Sequence, residues 1–269
     1  MEEKYQKLTE ILKEMGNVAV AYSGGVDSTF LLKVATDVLG NKATGILAVS
    51  PSYPSREFKA AKQIAHEMGA KLEIIETHET EQESYLENPV NRCYFCKSEL
   101  FEKIVELAGN SAYKNMVDGS NFDDLGDHRP GMKALREKGV RSPLQEAGLT
   151  KEEIRILSKK AGLPTWNKEA LACLSSRFPY GERIDVKKLK MVDEMENFLR
   201  DLGFHGVRAR HQNKTLKIEV LPEDIKKFFD DANRVKIVDR AKKLGYTYVT
   251  LDLEGYRQGS MNEVLKPVI

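Results

Sequence analysis

One stretch near the start of the chain most constrains its fold. Residues 18–21 are apolar, small and partly β-branched, and this pattern predicts a buried parallel strand. Ser23-Gly24-Gly25 follows, and a helical apolar pattern begins near Asp27. The glycines let the backbone turn sharply and approach a ligand closely, because they carry no Cβ. The N–H groups of such a loop and of the first helical turn point to one spot, so the stretch predicts a phosphate-binding loop.

The residues of this loop exclude two common nucleotide motifs. There is no Gly-Lys-Ser/Thr at the spacing of a Walker A loop, and no G-x-G-x-x-G. The segment 23–28 resembles instead the PP-loop of the ATP pyrophosphatases, which split ATP between its α- and β-phosphates and adenylate a substrate. The resemblance implies ATP and Mg²⁺ as cofactors, with Asp27 and Ser28 acting in adenylation. The ATP-binding residues that it implies here are Ala21, Ser23, Gly24, Gly25, Asp27 and Ser28. The alternative is a strand–turn–helix junction whose glycines serve geometry alone.

Strands and helices alternate over the first part of the chain, with strands near 18–21, 43–50 and 71–77 separated by helices of ten or more residues. This alternation predicts an α/β fold with a doubly wound parallel sheet. Ligands of such sheets bind beyond the carboxyl ends of the strands, and Val49 lies at the end of the second strand, which lines the adenine pocket in the resembled family. We predict a PP-loop domain at 1–184 and a smaller α+β domain at 185–269.

A polar run from Asp118 to Gly131 follows another short strand. Such a run is usually a solvated surface loop. Here it leaves a strand end at the edge of the sheet where the first strand delivers its loop. We therefore expect it to contribute nucleotide-binding residues, namely Gly119, Ser120, Asn121 and Asp124.

The chain has three cysteines, Cys93, Cys96 and Cys173. Cys93-x-x-Cys96 alone is compatible with half of a zinc site, a redox pair or coincidence. Cys173 lies in a second irregular stretch. Three thiolates from two loops can ligate three irons of a [4Fe–4S] cluster and leave the fourth iron open, and the pattern favours this over three buried cysteines acting as small hydrophobes.

Arg208 and Arg210 are two apart on a predicted strand and so share one face. Two guanidinium groups on one face can bind phosphate or carboxylate in bidentate fashion. From the spacing alone, an exposed polar face is the more common outcome.

Six motifs in order carry a wider resemblance, from about residue 5 to 265. They are Ser23-Gly24-Gly25-Val26-Asp27-Ser28, Arg92-Cys93-Tyr94-x-Cys96-Lys97, Asp118-Gly119-Ser120-Asn121 with Asp123-Asp124, Ala172-Cys173-Leu174-Ser175-Ser176-Arg177, Arg208-x-Arg210 and Gly255-Tyr256-Arg257-x-Gly259-Ser260-Met261-Asn262. The chain resembles the LarE-type ATP-dependent sulfur transferases of nickel-pincer nucleotide synthesis, which mature lactate racemase. The resemblance implies pyridinium-3,5-biscarboxylic acid mononucleotide as substrate, whose carboxylates are adenylated and converted to thiocarboxylates. The substrate-binding residues that it implies are Arg177, Arg208, Arg210, Glu219 and Arg257.

The resembled family has two sulfur chemistries. In one, a single cysteine matching Cys173 gives up its own sulfur and becomes dehydroalanine. In the other, thiolates matching Cys93, Cys96 and Cys173 hold the cluster, and its free iron carries an extra sulfide from a sulfur donor. This chain matches the second. The rival functions are another PP-loop thiolase or synthetase, and a non-enzymatic ATP-binding or metal-storage protein.

Composition limits the binding partners and the cellular location that we expect. The formal net charge is +1, from 42 basic and 41 acidic residues, so no global field favours nucleic acid or an anionic membrane. No apolar run approaches the ~20 residues of a transmembrane helix, and the polar start is unlike a signal peptide. We expect a cytoplasmic protein with reduced thiols that forms a homo-oligomer and binds neither nucleic acid nor membrane.

Overall fold

The computed structural model describes residues 1–110, 113–126, 139–169 and 172–265. The chain divides into two compact units. Unit 1 comprises Met1–Gln82 and Asn91–Leu171, and unit 2 comprises Glu83–Val90 and Ala172–Ile269. The part of the polar run from 127 to 131 lies outside the described residues.

Unit 1 is built on a four-stranded parallel sheet, which confirms the predicted α/β fold. Its strands are β1 (Val18–Ala21), β2 (Ala43–Val49), β3 (Lys71–Glu76) and β4 (Met116–Val117), in the order β3-β2-β1-β4. In the register, Val18 lies beside Ala43 and Ala19 beside Met116. β1 is thus a central strand, and its carboxyl end delivers the glycine loop, as we name residues 23–28.

Helices cover both faces of this sheet. Val18 and Val20 point to a core with Leu8, Leu12 and Phe30, whereas Ala19 packs on the opposite face with Phe101 and Ile104. The alternation follows from the two-residue period of a strand. The helices of the described chain are α1 (Glu2–Met15), α2 (Val26–Leu39), α3 (Ser55–Glu67), α4 (Glu83–Leu86), α5 (Arg92–Asn110), α6 (Pro143–Glu146), α7 (Lys151–Lys160), α8 (Val186–Asp201) and α9 (Asp231–Lys243). Within the described ranges, no helix is long and apolar enough to cross a membrane.

The sequence analysis assigned Cys93 and Cys96 to a loop, and this assignment is wrong. Helix α5 begins at Arg92, so both cysteines lie in its first turns. The chain before it has a left-handed residue, Asn88, with φ 53°. From Arg92 onwards nothing breaks a helix until residue 110, because the sequence holds neither proline nor an early glycine there.

Unit 2 is a mixed three-stranded sheet with helices. Its strands are β5 (Arg208–Gln212), β6 (Thr215–Glu219) and β7 (Tyr248–Leu251), in the order β5-β6-β7. β5 and β6 are antiparallel and joined at Asn213, whose φ is 55°, whereas β6 and β7 are parallel. Helices α8 and α9 and a 3₁₀ helix at Pro222–Phe229 complete the α+β arrangement.

The division by contacts does not coincide with the boundary placed after residue 184. Residues 172–184 and the segment 83–90 belong to unit 2. Tyr85 is buried and its hydroxyl shares a hydrogen bond of 2.6 Å with Ser175 Oγ. The Asn88 amide donates to the carbonyls of Phe178 and Pro179 at 3.2 and 2.6 Å. Such pairings join residues about 90 positions apart, so local sequence patterns do not reveal them.

Candidate functional site

The backbone of the glycine loop leaves no room for a side chain at Gly24. Gly24 has φ +64°, and a Cβ placed on it would lie 2.7 Å from Cβ of Ala61 in α3. The carbonyl of Ser23 accepts a hydrogen bond of 2.8 Å from the Tyr53 hydroxyl. The loop is therefore packed tightly against α3 on one side.

Two serine hydroxyls and a helix start lie together in this loop. Ser23 and Ser28 share a hydrogen bond of 3.1 Å between their Oγ atoms, and the Ser23 N–H donates to Ser28 Oγ at 3.2 Å. The residue before α2 is Gly25, which offers no side chain to cap the helix. The first N–H groups of α2 therefore need other acceptors, which makes this end suitable for an anion.

The loop after β4 closes onto the same helix start. A Cβ on Gly119 would lie 2.8 Å from the backbone nitrogen of Ser28. Ser120 and Asn121 are buried beside it. The Asn121 N–H donates to Asp124 at 3.0 Å, which fixes the turn. The structure thus brings Gly119 to the glycine loop, as the sequence predicted for this strand end.

Asp27 is the acidic residue of the helix start. Its Oδ2 pairs with the ammonium of Lys151, the first residue of α7, at 2.5 Å. Burial raises the pKa of Asp27, while the hydrogen bond from Lys151 opposes this and the charge of Asp124 adds to it. Asp27 Oδ1 is buried and has no hydrogen-bond partner among the described residues. A carboxylate oxygen left in this way fits a magnesium ion, which proteins commonly hold through one or two carboxylates.

Ala21 and Val49 end β1 and β2 at the same edge of the sheet. Just beyond Val49, Ser52 donates to the carboxylate of Glu79 at 2.8 Å, and Ser50 donates to the same oxygen. Glu79 is only 1% exposed. No local sequence pattern indicates that this carboxylate is buried, because Glu79 lies in a wholly polar run.

In unit 2, Arg177 is not free to bind a ligand through its charge. Its guanidinium forms a two-point ion pair with Glu196 of α8, at 2.7 and 3.1 Å. Its third nitrogen donates to Ser176 Oγ and to the carbonyls of Ala172 and Cys173, at 2.7 to 3.4 Å. Burial would raise the pKa of Glu196, but the charge of Arg177 and its hydrogen bonds outweigh this and lower the pKa to about 2. Arg177 therefore fixes the backbone at Cys173.

Arg210 is held in a similar way. Its guanidinium pairs with Glu219 through two nitrogens, one of the contacts at 2.7 Å. It also donates to the Ser176 carbonyl at 3.1 Å and to Ser260 Oγ at 2.9 Å. Arg208, on the same strand, lies over the ring of Tyr256 at 4.4 Å.

A cavity of about 420 Å³ collects most of the residues predicted to bind substrate. Arg177, Arg210, Glu219 and Arg257 line it, whereas Arg208 does not. The Arg257 side chain pairs with Glu254 at 2.9 Å and with Glu263 at 3.1 Å through its Nη2. Its Nη1 is buried and has no hydrogen-bond partner among the described residues. The two N–H groups of Arg257 Nη1 therefore have no acceptor among the described residues and could serve an anion.

The chain matches known proteins over nearly its whole length. It is 39% identical over 267 residues, which cover 97% of this chain and 95% of the relative, to the pyridinium-3,5-bisthiocarboxylic acid mononucleotide synthase of Lactiplantibacillus plantarum. The chain belongs to the LarE family. It is also 46% identical over 265 residues to an uncharacterized protein of Synechocystis sp. (98% and 99% covered) and 29% identical over 257 residues to one of Methanocaldococcus jannaschii (94% and 97% covered). No protein-family model matches the chain.

For this LarE family member, the cysteines are distributed over both units. Cys93 is exposed and Cys96 half-buried, one helical turn apart on α5 in unit 1. Cys173 is half-buried in unit 2, just before the 3₁₀ helix Leu174–Arg177. Thiolates suit iron, but the described residues contain no group of three or more His, Cys, Asp or Glu placed to hold a metal ion.

Proposed function

We propose that this chain is an ATP-dependent sulfur transferase. It would adenylate the carboxylates of pyridinium-3,5-biscarboxylic acid mononucleotide, release pyrophosphate, and convert them to thiocarboxylates. The observation that supports the ATP step is the close backbone packing of the glycine loop and of the loop after β4, where a Cβ at Gly24 or at Gly119 would collide with neighbouring atoms. The product in the name of the Lactiplantibacillus relative, a pyridinium bisthiocarboxylic acid mononucleotide, supports the substrate class.

Adenylation is needed because a carboxylate has no good leaving group. A carboxylate is a poor electrophile, and its attack on the α-phosphorus of ATP gives a mixed anhydride with a good leaving group. The bond to the β-phosphate breaks in that step, and pyrophosphate leaves. The N–H groups at the start of α2, with Ser23 and Ser28, would bind the departing charge. Asp27, with Asp124 near it, would hold a magnesium ion that neutralises the same charge.

The arginines that line the cavity of unit 2 would have different roles, one in ligand binding and two in structure. Arg257 has an unpartnered donor and would contact a phosphate or carboxylate of the mononucleotide directly. Arg210 donates hydrogen bonds to Glu219, Ser176 and Ser260, and would therefore stabilise the wall of the cavity. Arg177 would hold the carbonyl of Cys173, and so orient the residue that takes part in sulfur transfer.

Sulfur would come from a cluster or from the protein itself. Cys93, Cys96 and Cys173 would hold a [4Fe–4S] cluster whose open iron supplies a site for sulfide from a donor. The donor set of three soft thiolates supports this proposal. We also propose that the protein acts in the cytoplasm and forms a homo-oligomer. Sedimentation of the purified protein would test the oligomeric state.

The test uses anaerobically reconstituted protein with ATP, the dicarboxylate mononucleotide and sulfide. We expect AMP and pyrophosphate only when the mononucleotide is present, and more than one thiocarboxylate per polypeptide. Formation of ADP and phosphate would contradict the adenylation step, and no nucleotide cleavage would favour a non-enzymatic binding protein. Cys93→Ala and Cys96→Ala should each abolish turnover. Activity of both variants, or dehydroalanine at position 173 after one turnover, would show a sacrificial Cys173 instead.

A further inference from the structure

The glycine loop contains no lysine, although the pyrophosphate that would leave it is strongly anionic. In Walker A loops, a lysine within the motif contacts the phosphates. Here two lysines reach residues 23–28 from outside. Lys151 Nζ lies 2.5 Å from Asp27 Oδ2, and Lys168 Nζ lies 2.9 Å from the Gly24 carbonyl oxygen.

Lys168 is a brace. Its ammonium holds a backbone carbonyl of the loop and also pairs with Glu57 of α3 at 2.6 Å. Its own carbonyl accepts a hydrogen bond of 2.9 Å from Arg155, which also donates to the Trp166 carbonyl at 2.8 Å. Neither acceptor of the ammonium would be claimed by a metal ion that binds Asp27, so we expect Lys168 to stay in place when ligands bind.

Lys151 is different, because its ammonium holds the carboxylate that fits a magnesium ion. Its backbone is fixed, since Thr150 and Glu153 form a capping box around the start of α7 and the Lys151 N–H donates to Asp123 at 2.9 Å. A cation on the unpartnered Oδ1 of Asp27 would compete with Lys151 for the charge of one carboxylate. The long, flexible side chain of lysine can then turn to another anion nearby.

On the basis of the proposed function, we infer that Lys151 is the phosphate-binding lysine that the glycine loop itself lacks. Before ligands bind, its ammonium pairs with the carboxylate of Asp27. When a divalent cation takes Asp27, the ammonium moves to the β- and γ-phosphates of ATP, beside the N–H groups of α2.

Two binding measurements without catalysis test this exchange. The first is calorimetric titration with inorganic pyrophosphate in the presence of Mg²⁺. The second is titration of the ligand-free protein with Mn²⁺, followed by electron paramagnetic resonance. For Lys151→Met we expect pyrophosphate binding to weaken about tenfold or more, because a charged hydrogen bond is lost. We expect Mn²⁺ binding to become severalfold tighter, because the competing ammonium is gone.

The controls separate this role from a structural one. Lys151→Arg should recover most of the pyrophosphate affinity. Lys4→Met removes the ion pair of Lys4 with Glu153, a contact of 2.7 Å on the same helix α7, and should leave both affinities as in the wild type. A Lys151→Met protein that binds both probes more weakly, or pyrophosphate unchanged, overturns the inference. If the wild type does not bind pyrophosphate in the presence of Mg²⁺, the proposed function fails together with the inference. If the wild type binds it and Lys151→Met binds it equally well, the inference alone is refuted.

Discussion

The ion pair between Glu196 and Arg177 gives a stability prediction that can be worked from the structure. Glu196 is fully buried and accepts hydrogen bonds from Arg177, from Arg200 at 2.9 Å and from the Ala209 N–H at 3.1 Å. Glu196→Gln keeps the shape but removes the negative charge. It leaves the buried guanidinium of Arg177 without its counter-charge, and breaking a buried pair in this way costs about 3–5 kcal/mol.

The pKa of Glu196 gives a second route to the magnitude. Lowering this pKa from its ordinary 4.5 to about 2 corresponds to about 3 kcal/mol of stability at neutral pH. Because the folded-state pKa is depressed, this stability is present above pH 4.5 and is lost as the pH falls towards 2. The wild type should therefore lose it over that window, and Glu196→Gln should lack this part of the pH dependence.

The assay is hydrogen exchange measured by mass spectrometry on peptides from α8 and β5, which reports the opening free energy of unit 2 separately from that of unit 1. Glu194→Gln is the matched control, since Glu194 lies two residues away on α8 and pairs with Arg240 at 2.7 Å with both side chains 36% exposed. An exposed pair of this kind contributes at most about 1 kcal/mol. The reasoning is refuted if Glu196→Gln costs no more than Glu194→Gln, or if it retains the acid dependence of the wild type.

Three further predictions concern single positions. Gly119→Ala should abolish ATP binding and also lower the thermal unfolding temperature, because its Cβ would lie 2.8 Å from the Ser28 backbone nitrogen and force the helix start to shift; normal affinity in a calorimetric titration would contradict this. Arg257→Ala should weaken binding of the dicarboxylate mononucleotide about tenfold while sparing ATP, and equal affinity for the mononucleotide would show that the cavity is not its site. Burial lowers the pKa of His211 to about 4, so unit 2 should lose stability as the pH falls from 6.5 to 4. His211→Phe should reduce that loss in the same hydrogen-exchange experiment, and an unchanged loss would contradict the prediction.

The sequence predicted those features that local patterns determine. β1, the turn at Gly24 and the start of α2 follow from an apolar run, two glycines and a helical period. The capping box of Thr150 and Glu153 is likewise a local feature that spans four residues.

Features that depend on distant partners could not be predicted in this way. Lys151 lies 124 residues from Asp27, and nothing around either residue indicates their pairing. Glu196 lies in an amphipathic helix, where a charged residue is ordinarily assigned to the solvent face, yet its partner Arg177 holds it inside the unit. The arginines were therefore recognised as a group, but their different availability became visible only from their hydrogen bonds.

The short segment 83–90 has a consequence for anyone who would recombine these proteins. A chimera that exchanged only residues 172–269 between relatives would receive Ser175, Phe178 and Pro179 from one parent and keep Tyr85 and Asn88 from the other. Tyr85 and Asn88 are at most 1% exposed, so a mismatch there would fall inside the transplanted unit, not on its surface. The exchangeable module is consequently discontinuous in the gene, and a crossover design must carry both pieces from the same parent.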